Sequence, residues 1–75
     1  MNYKLIKEEP SKIENLIGIT FFIKALPHIG EKLYAIHDEN FCLITTEVRD
    51  GCIRGGGNLI EIETKDAKYT FEKAI

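Results

Sequence analysis

Leu59-Ile60-Glu61-Ile62-Glu63-Thr64, then Lys65-Asp66-Ala67-Lys68, then Tyr69-Thr70-Phe71-Glu72-Lys73 decide the fold class of this chain. Both outer segments alternate with period two. Ile60, Ile62 and Thr64 share one face, and Tyr69 and Phe71 share another, while Glu61, Glu63 and Glu72 fall opposite. Successive side chains of a strand point to opposite faces, so this pattern predicts two half-buried strands. The short polar connection makes them a hairpin. Ile60, Ile62 and Phe71 are expected inside, and the three glutamates in solvent.

Upstream of the hairpin, Arg54-Gly55-Gly56-Gly57-Asn58 reads as a flexible connection, since glycine lacks the Cβ that restricts other residues. Asp50-Gly51 is a turn signal. Phe41 to Val48 reads as a strand with Cys42, Ile44, Thr46 and Val48 on one face and Phe41, Leu43, Thr45 and Glu47 on the other. Cys42 is expected in the core beside Ile44 and Val48. Apolar groups on both faces suit a strand in a small closed barrel, or one half-covered by the N-terminal segment. Asp38-Glu39-Asn40 is a polar turn, and Leu33-Tyr34-Ala35-Ile36-His37 is the strand before it, entered through a turn marked by Pro27 and Gly30.

At the other end, Tyr3-Lys4-Leu5-Ile6-Lys7 predicts a first strand ending before Pro10. Ser11 with Glu14 forms a capping-box pattern, and Ile13, Leu16 and Ile17 follow at helical spacing. These predict a short helix over residues 12–17, closed by Gly18. Ile19 to Ala25 reads as a strand with Ile19, Phe21 and Ile23 inward. A continuation of the helix to Leu26 is the alternative, and Gly18 weighs against it by about 1 kcal/mol relative to alanine. Isoleucine supplies 12 of the 33 apolar residues, which favours sheet. The expectation is an all-β or mostly β domain of five or six short antiparallel strands with one short N-terminal helix, closed into a small barrel or strongly bent.

At 75 residues, the chain is expected to form one domain, 1–75. Apolar residues make up 44% and the net charge is −2, which argues against disorder. No run approaches the ~20 apolar residues of a membrane-spanning helix, and the first residues lack the apolar stretch of a signal peptide. A cytoplasmic location is the expectation. Residues 1–37 carry net +1 and residues 38–75 net −3, so neither half is the basic field that nonspecific nucleic-acid binding normally uses.

From Pro27 onward a resemblance can be drawn. Pro27-His28-Ile29-Gly30-Glu31, Leu43-Ile44-Thr45-Thr46-Glu47-Val48 and Ile62-Glu63-Thr64-Lys65-Asp66-Ala67-Lys68-Tyr69-Thr70-Phe71 are similar to stretches of small uncharacterised bacterial, phage and mobile-element proteins ending in strand–turn–strand. The resemblance spans about residues 27–71. It implies an SH3-like or related β-barrel and a phage or mobile-element setting, and it transfers no catalytic residue.

The chemistry-bearing residues form no motif. His28, His37, Cys42 and Cys52 are the possible soft-metal ligands, but none forms the close pair of a zinc knuckle, so no metal is expected. Two cysteines make no disulfide framework and are expected as thiols. Gly55-Gly56-Gly57 is followed by Asn58-Leu59 rather than the lysine and hydroxyl of a phosphate loop. Neither a nucleophile constellation nor a cofactor signature is present, and no enzyme activity is expected.

The reading is a non-catalytic binding module that recognises another protein, in a phage or mobile-element setting an inhibitor or adaptor of a host system. The candidate residues are Arg54, Gly55, Gly56, Gly57 and Asn58, with Arg49, Tyr34 and Tyr69. Loops can vary without disturbing a sheet, and arginine is enriched at interface hot spots. An exposed sheet edge is the next candidate. The alternative is a nucleic-acid-binding small barrel, in which Arg49, Arg54, Lys65 and Lys68 contact phosphate and Tyr34, Tyr69 and Phe22 stack on bases. A small-molecule binder comes third, because a chain this short encloses little volume.

Overall fold

The computed structural model describes residues 2–9 and 16–74. Its strands are β1 (Asn2–Glu9), β2 (Thr20–Phe22), β3 (Lys32–Asp38), β4 (Phe41–Arg54), β5 (Leu59–Thr64) and β6 (Lys68–Lys73). Each runs antiparallel to the next, and β6 returns to pair with β1. The result is a closed six-stranded antiparallel barrel, consistent with an SH3-like fold.

The C-terminal hairpin forms as the alternation dictates. Ile60, Ile62 and Phe71 are buried, Glu63 and Glu72 are exposed, and Glu61 is partly covered. Thr64 fixes the reversal between β5 and β6. Its hydroxyl accepts from the Ala67 N–H at 3.1 Å and donates to the Ala67 carbonyl at 3.1 Å. Polar groups of the turn thereby find partners within it.

The strand at Phe41–Val48 differs from expectation in both length and register. β4 continues through Asp50-Gly51 to Arg54, so the predicted turn there does not form. Its first part pairs with β3 and its second with β5. Register shifts fall near Thr45–Thr46 and at Arg49, where β4 carries an extra residue on each occasion. Such bulges bend a strand and increase its twist, which lets one strand serve both sides of a small barrel. They also break strict alternation: Thr45 and Val48 both face inward, whereas Cys42 and Ile44 face solvent. Cys42 is therefore not in the core.

At the N-terminal end, β1 carries its own bulge between Leu5 and Lys7. This places Tyr3, Leu5 and Glu8 inward. The predicted helix over 12–17 lies for residues 12–15 outside the described residues. Leu16 sits in a 3-10 turn and is buried, and Gly18 follows with φ of 93°, donating to the Leu5 carbonyl at 2.7 Å. Residues 20–22 are strand, which excludes a helix continuing to Leu26. Phe21 and Ile23 point inward and Ile19 is half-buried, as the face assignment required.

Leu5, Phe21, Ile23, Leu33, Ile60 and Phe71 are the most completely buried large side chains. Phe21 of β2 and Phe71 of β6, the two strands that flank β1, meet edge-on inside the barrel at 6.3 Å between ring centroids.

Candidate functional site

Strand alternation on β3 places Leu33 and Ala35 in the core and therefore turns Tyr34 and Ile36 outward. On β4 the same logic puts Leu43 and Thr45 inside and Cys42 and Ile44 outside. Register aligns these outward residues. Phe22 pairs with Ile36, which pairs with Cys42, and Tyr34 pairs with Ile44 in the adjoining row. Paired residues share a face, so the outer surface of β2–β3–β4 carries Phe22, Ile36, Cys42, Tyr34 and Ile44 together.

Phe22 is 44% exposed, Tyr34 58%, Ile36 46% and Ile44 52%. At ~200 Å² per large side chain, these four expose on the order of 400 Å² of mostly apolar surface. That lies within the ~300–600 Å² of the largest patch on a typical monomer, a patch that is often functional. Lys32 stands two residues before Tyr34 on β3, and Lys24 lies across the adjoining cleft. The patch was legible in part, because apolar residues on both faces of a strand leave one face to be covered by something else.

The glycine loop takes a definite form. Gly55–Gly57 is a 3-10 turn joining β4 to β5, with φ of 60°, 68° and 100° at its three glycines. Asn58 donates to the Gly55 carbonyl at 3.3 Å, and the Asn58 carbonyl accepts from Lys73 at 2.7 Å. Left-handed backbone at three successive positions explains the triple glycine without invoking a ligand. Arg54 at its base is engaged, its Nε 2.8 Å from Oε1 of Glu61. The neighbouring Cys52 and the Glu61 charge both raise the guanidinium above its ordinary pKa.

The remaining candidates disperse. Tyr69 is 8% exposed and packs on Phe71, so it belongs to the core and offers no ring to a ligand. The strict alternation that identified the hairpin already places it there. Tyr34 belongs to the outer patch. Arg49 lies beside a shallow depression shared with Lys32, Glu47 and Lys65. The sequence-predicted set therefore does not converge on one site.

The four possible metal ligands do not gather into one cluster among the described residues. His28 contacts the Glu31 carboxylate at 3.1 Å, and Nδ1 of His37 lies 3.0 Å from the Thr20 carbonyl. The His28 backbone N–H and ring together hold Glu31 below the usual carboxylate range. Cys42 and Cys52 are exposed free thiols. Among the described residues no cluster of three or more His, Cys, Asp or Glu could hold a metal ion, and no helix is long and apolar enough to cross a membrane.

A second apolar feature is an open groove of about 390 Å³ lined by Leu26, Pro27, Ile29 and Ile53. Ile60, Ile62 and Val48 form its floor, and Ile29 and Ile53 are 67% and 58% exposed. No protein-family model, curated protein or solved structure matches the chain.

Proposed function

We propose that this barrel is a non-catalytic module that binds another protein through the outer face of β2–β3–β4. One observation carries the reading: Phe22, Tyr34, Ile36 and Ile44 are brought side by side in solvent by strand register. Leaving large apolar side chains about half exposed forgoes roughly half of the about 1.5–3 kcal/mol that full burial of each would contribute. Exposed aromatic side chains such as Tyr34 are also the residue type enriched at interface hot spots. In a cytoplasmic phage or mobile-element setting, such a module would act as an inhibitor or adaptor of a host system.

A photo-crosslinking amino acid at position 34, compared with one at Glu63 on β5, tests this in cells that produce the protein. The expected result is a discrete crosslinked protein from position 34 and none from position 63. Replacing both Phe22 and Ile44 with threonine, which keeps strand propensity, in the chain that carries the crosslinker at position 34 should abolish that capture. Equal crosslinking from both positions, or capture that survives the double replacement, would sink the reading.

A second reading, nucleic-acid binding, is favoured by Lys32, Arg49 and Lys65 meeting around one depression. Its lining contains no aromatic ring on which a base could stack. A salt series with labelled oligonucleotides separates the readings, since phosphate contacts weaken steeply as salt rises.

A further inference from the structure

We propose that the partner adds an extended segment to the free edge of β3, in the cleft between that edge and residues 24–27. This inference rests on the reading of the barrel as a protein-binding module. β2 is three residues long and, among the described residues, is joined to β3 by a single register pair, Phe22 with Ile36. β3 itself begins at Lys32. Among the described residues, its residues 32–35 thus have β4 on one side and no strand on the other. After Phe22 the chain leaves the sheet towards Pro27, which has no N–H to donate to a ladder. The separation leaves a cleft of about 560 Å³ lined by Lys24, Leu26, Pro27, Lys32, Tyr34 and Ile36, with the Glu31 carboxylate among them.

The polarity of the edge suits strand addition. The Leu33 N–H points towards β4, where it donates to the Thr45 hydroxyl at 3.0 Å. Backbone groups of successive strand residues point to opposite sides, so those of Lys32 and Tyr34 face the cleft. An incoming extended chain could hydrogen-bond there while alternate side chains rest against Tyr34 and Ile36, continuing the apolar patch. Closed barrels otherwise leave no such edge.

Charge selects the occupant. Lys24 and Lys32 take part in none of the ion pairs among the described residues, and the one carboxylate in the lining, Glu31, is engaged by the His28 N–H and ring, so two ammonium groups face a single carboxylate there. The cleft therefore favours a segment that alternates apolar and polar residues and carries at least one carboxylate. A second copy docked by its own β3 edge would bring two further ammonium groups against one further carboxylate, leaving an excess of positive charge that disfavours self-pairing.

The test is selection of a displayed library of random linear peptides against the folded full chain, followed by anisotropy titration of the enriched peptide. The expected consensus alternates apolar and polar residues and includes Asp or Glu. N-methylation at the alternate residues whose N–H groups face β3 should weaken binding by about tenfold or more, and methylation at the intervening residues should not. Tyr34 and Lys32 amides should shift in NMR spectra on titration. Four results would overturn the inference: no enriched peptide, a consensus without alternation, indifference to both methylation patterns, or concentration-dependent dimerisation lost on replacing Tyr34 with proline. If crosslinking from position 34 to a protein persists in any of these cases, the binding-module reading stands and strand addition alone falls.

Discussion

Phe22 and Ile36 form the single register pair that joins β2 to β3 among the described residues, whereas β4 and β5 share six such pairs. The barrel is therefore closed unevenly. Local opening follows the regions with fewest ladder contacts, so this seam should be the first to open. Native-state hydrogen exchange should find the Ile36 amide, in the one register pair of the seam, exchanging at least ~100-fold faster than the Ile62 amide. Comparable protection at both positions would show that the seam is closed by contacts other than the ladder.

A second expectation concerns Glu8. The bulge in β1 turns it inward opposite Tyr69, at 7% exposure, and its Oε1 is buried with no hydrogen-bond partner. A buried polar group left unpaired costs about 1–3 kcal/mol. Glu8→Leu should therefore raise the stability of the barrel by about 1 kcal/mol or more in urea unfolding. A loss of stability would mean that the carboxylate is satisfied by groups that the folded chain brings to it in solution.

Tyr69 gives a pH dependence of known sign. Burial, followed by the charges of Glu8 and Asp66, raises its phenol above the ordinary value of 10.0. Below pH 10 the phenol is neutral in both folded and unfolded chains and contributes no slope. As pH rises past that point, the unfolded chain ionises first, so stability falls until the higher folded value is passed. Urea midpoints measured from about pH 9 to about pH 11 should decline more steeply for the wild type than for Tyr69→Phe. Parallel decline would assign the alkaline loss to other groups.

Regular alternation carried most of the legible information. Ile60, Ile62 and Phe71, or Phe21 and Ile23, needed only period two to be placed inside. The elements that failed did so for a shared reason. Asp50-Gly51 is a turn by local preference, yet cross-strand pairing with Glu63 and Ile62 carries β4 straight through it. The bulges near Thr45–Thr46 and at Arg49 shift side chains by one residue, and nothing in the local composition marks them. The outer patch requires knowing that Phe22, Ile36 and Cys42 are neighbours across three strands, which is a property of register and not of any single segment. Arg54 and the glycines were visible, but the turn they form is explained by left-handed backbone and an ion pair.

Cys42 separates the local reading from the folded one in a direct measurement. Alternation without bulges buries it, whereas in the barrel it is exposed in the patch row with Phe22 and Ile36. Native Cys42 in a Cys52→Ser background should react with a thiol reagent within a few-fold of its rate in denaturant. Protection by one or more orders of magnitude would restore the core placement and contradict the β4 register.

The glycines of the β4–β5 connection and the one inside β4 should respond oppositely to alanine. Gly56 has φ of 68° with open space where a Cβ would stand, so the penalty for Gly56→Ala is backbone strain alone. Left-handed backbone costs a non-glycine residue about 1–2 kcal/mol. Gly51 has no such φ, and a Cβ there would meet the Glu61 carbonyl at 3.7 Å, an ordinary contact. Glycine inside a strand also carries excess unfolded-state entropy, so Gly51→Ala should be neutral or stabilise by up to about 1 kcal/mol. Chemical denaturation of the two variants decides the matter. If Gly51→Ala destabilises as much as Gly56→Ala, residues 50 and 51 form the turn that their sequence suggests, and β4 ends near Val48 instead of reaching Arg54.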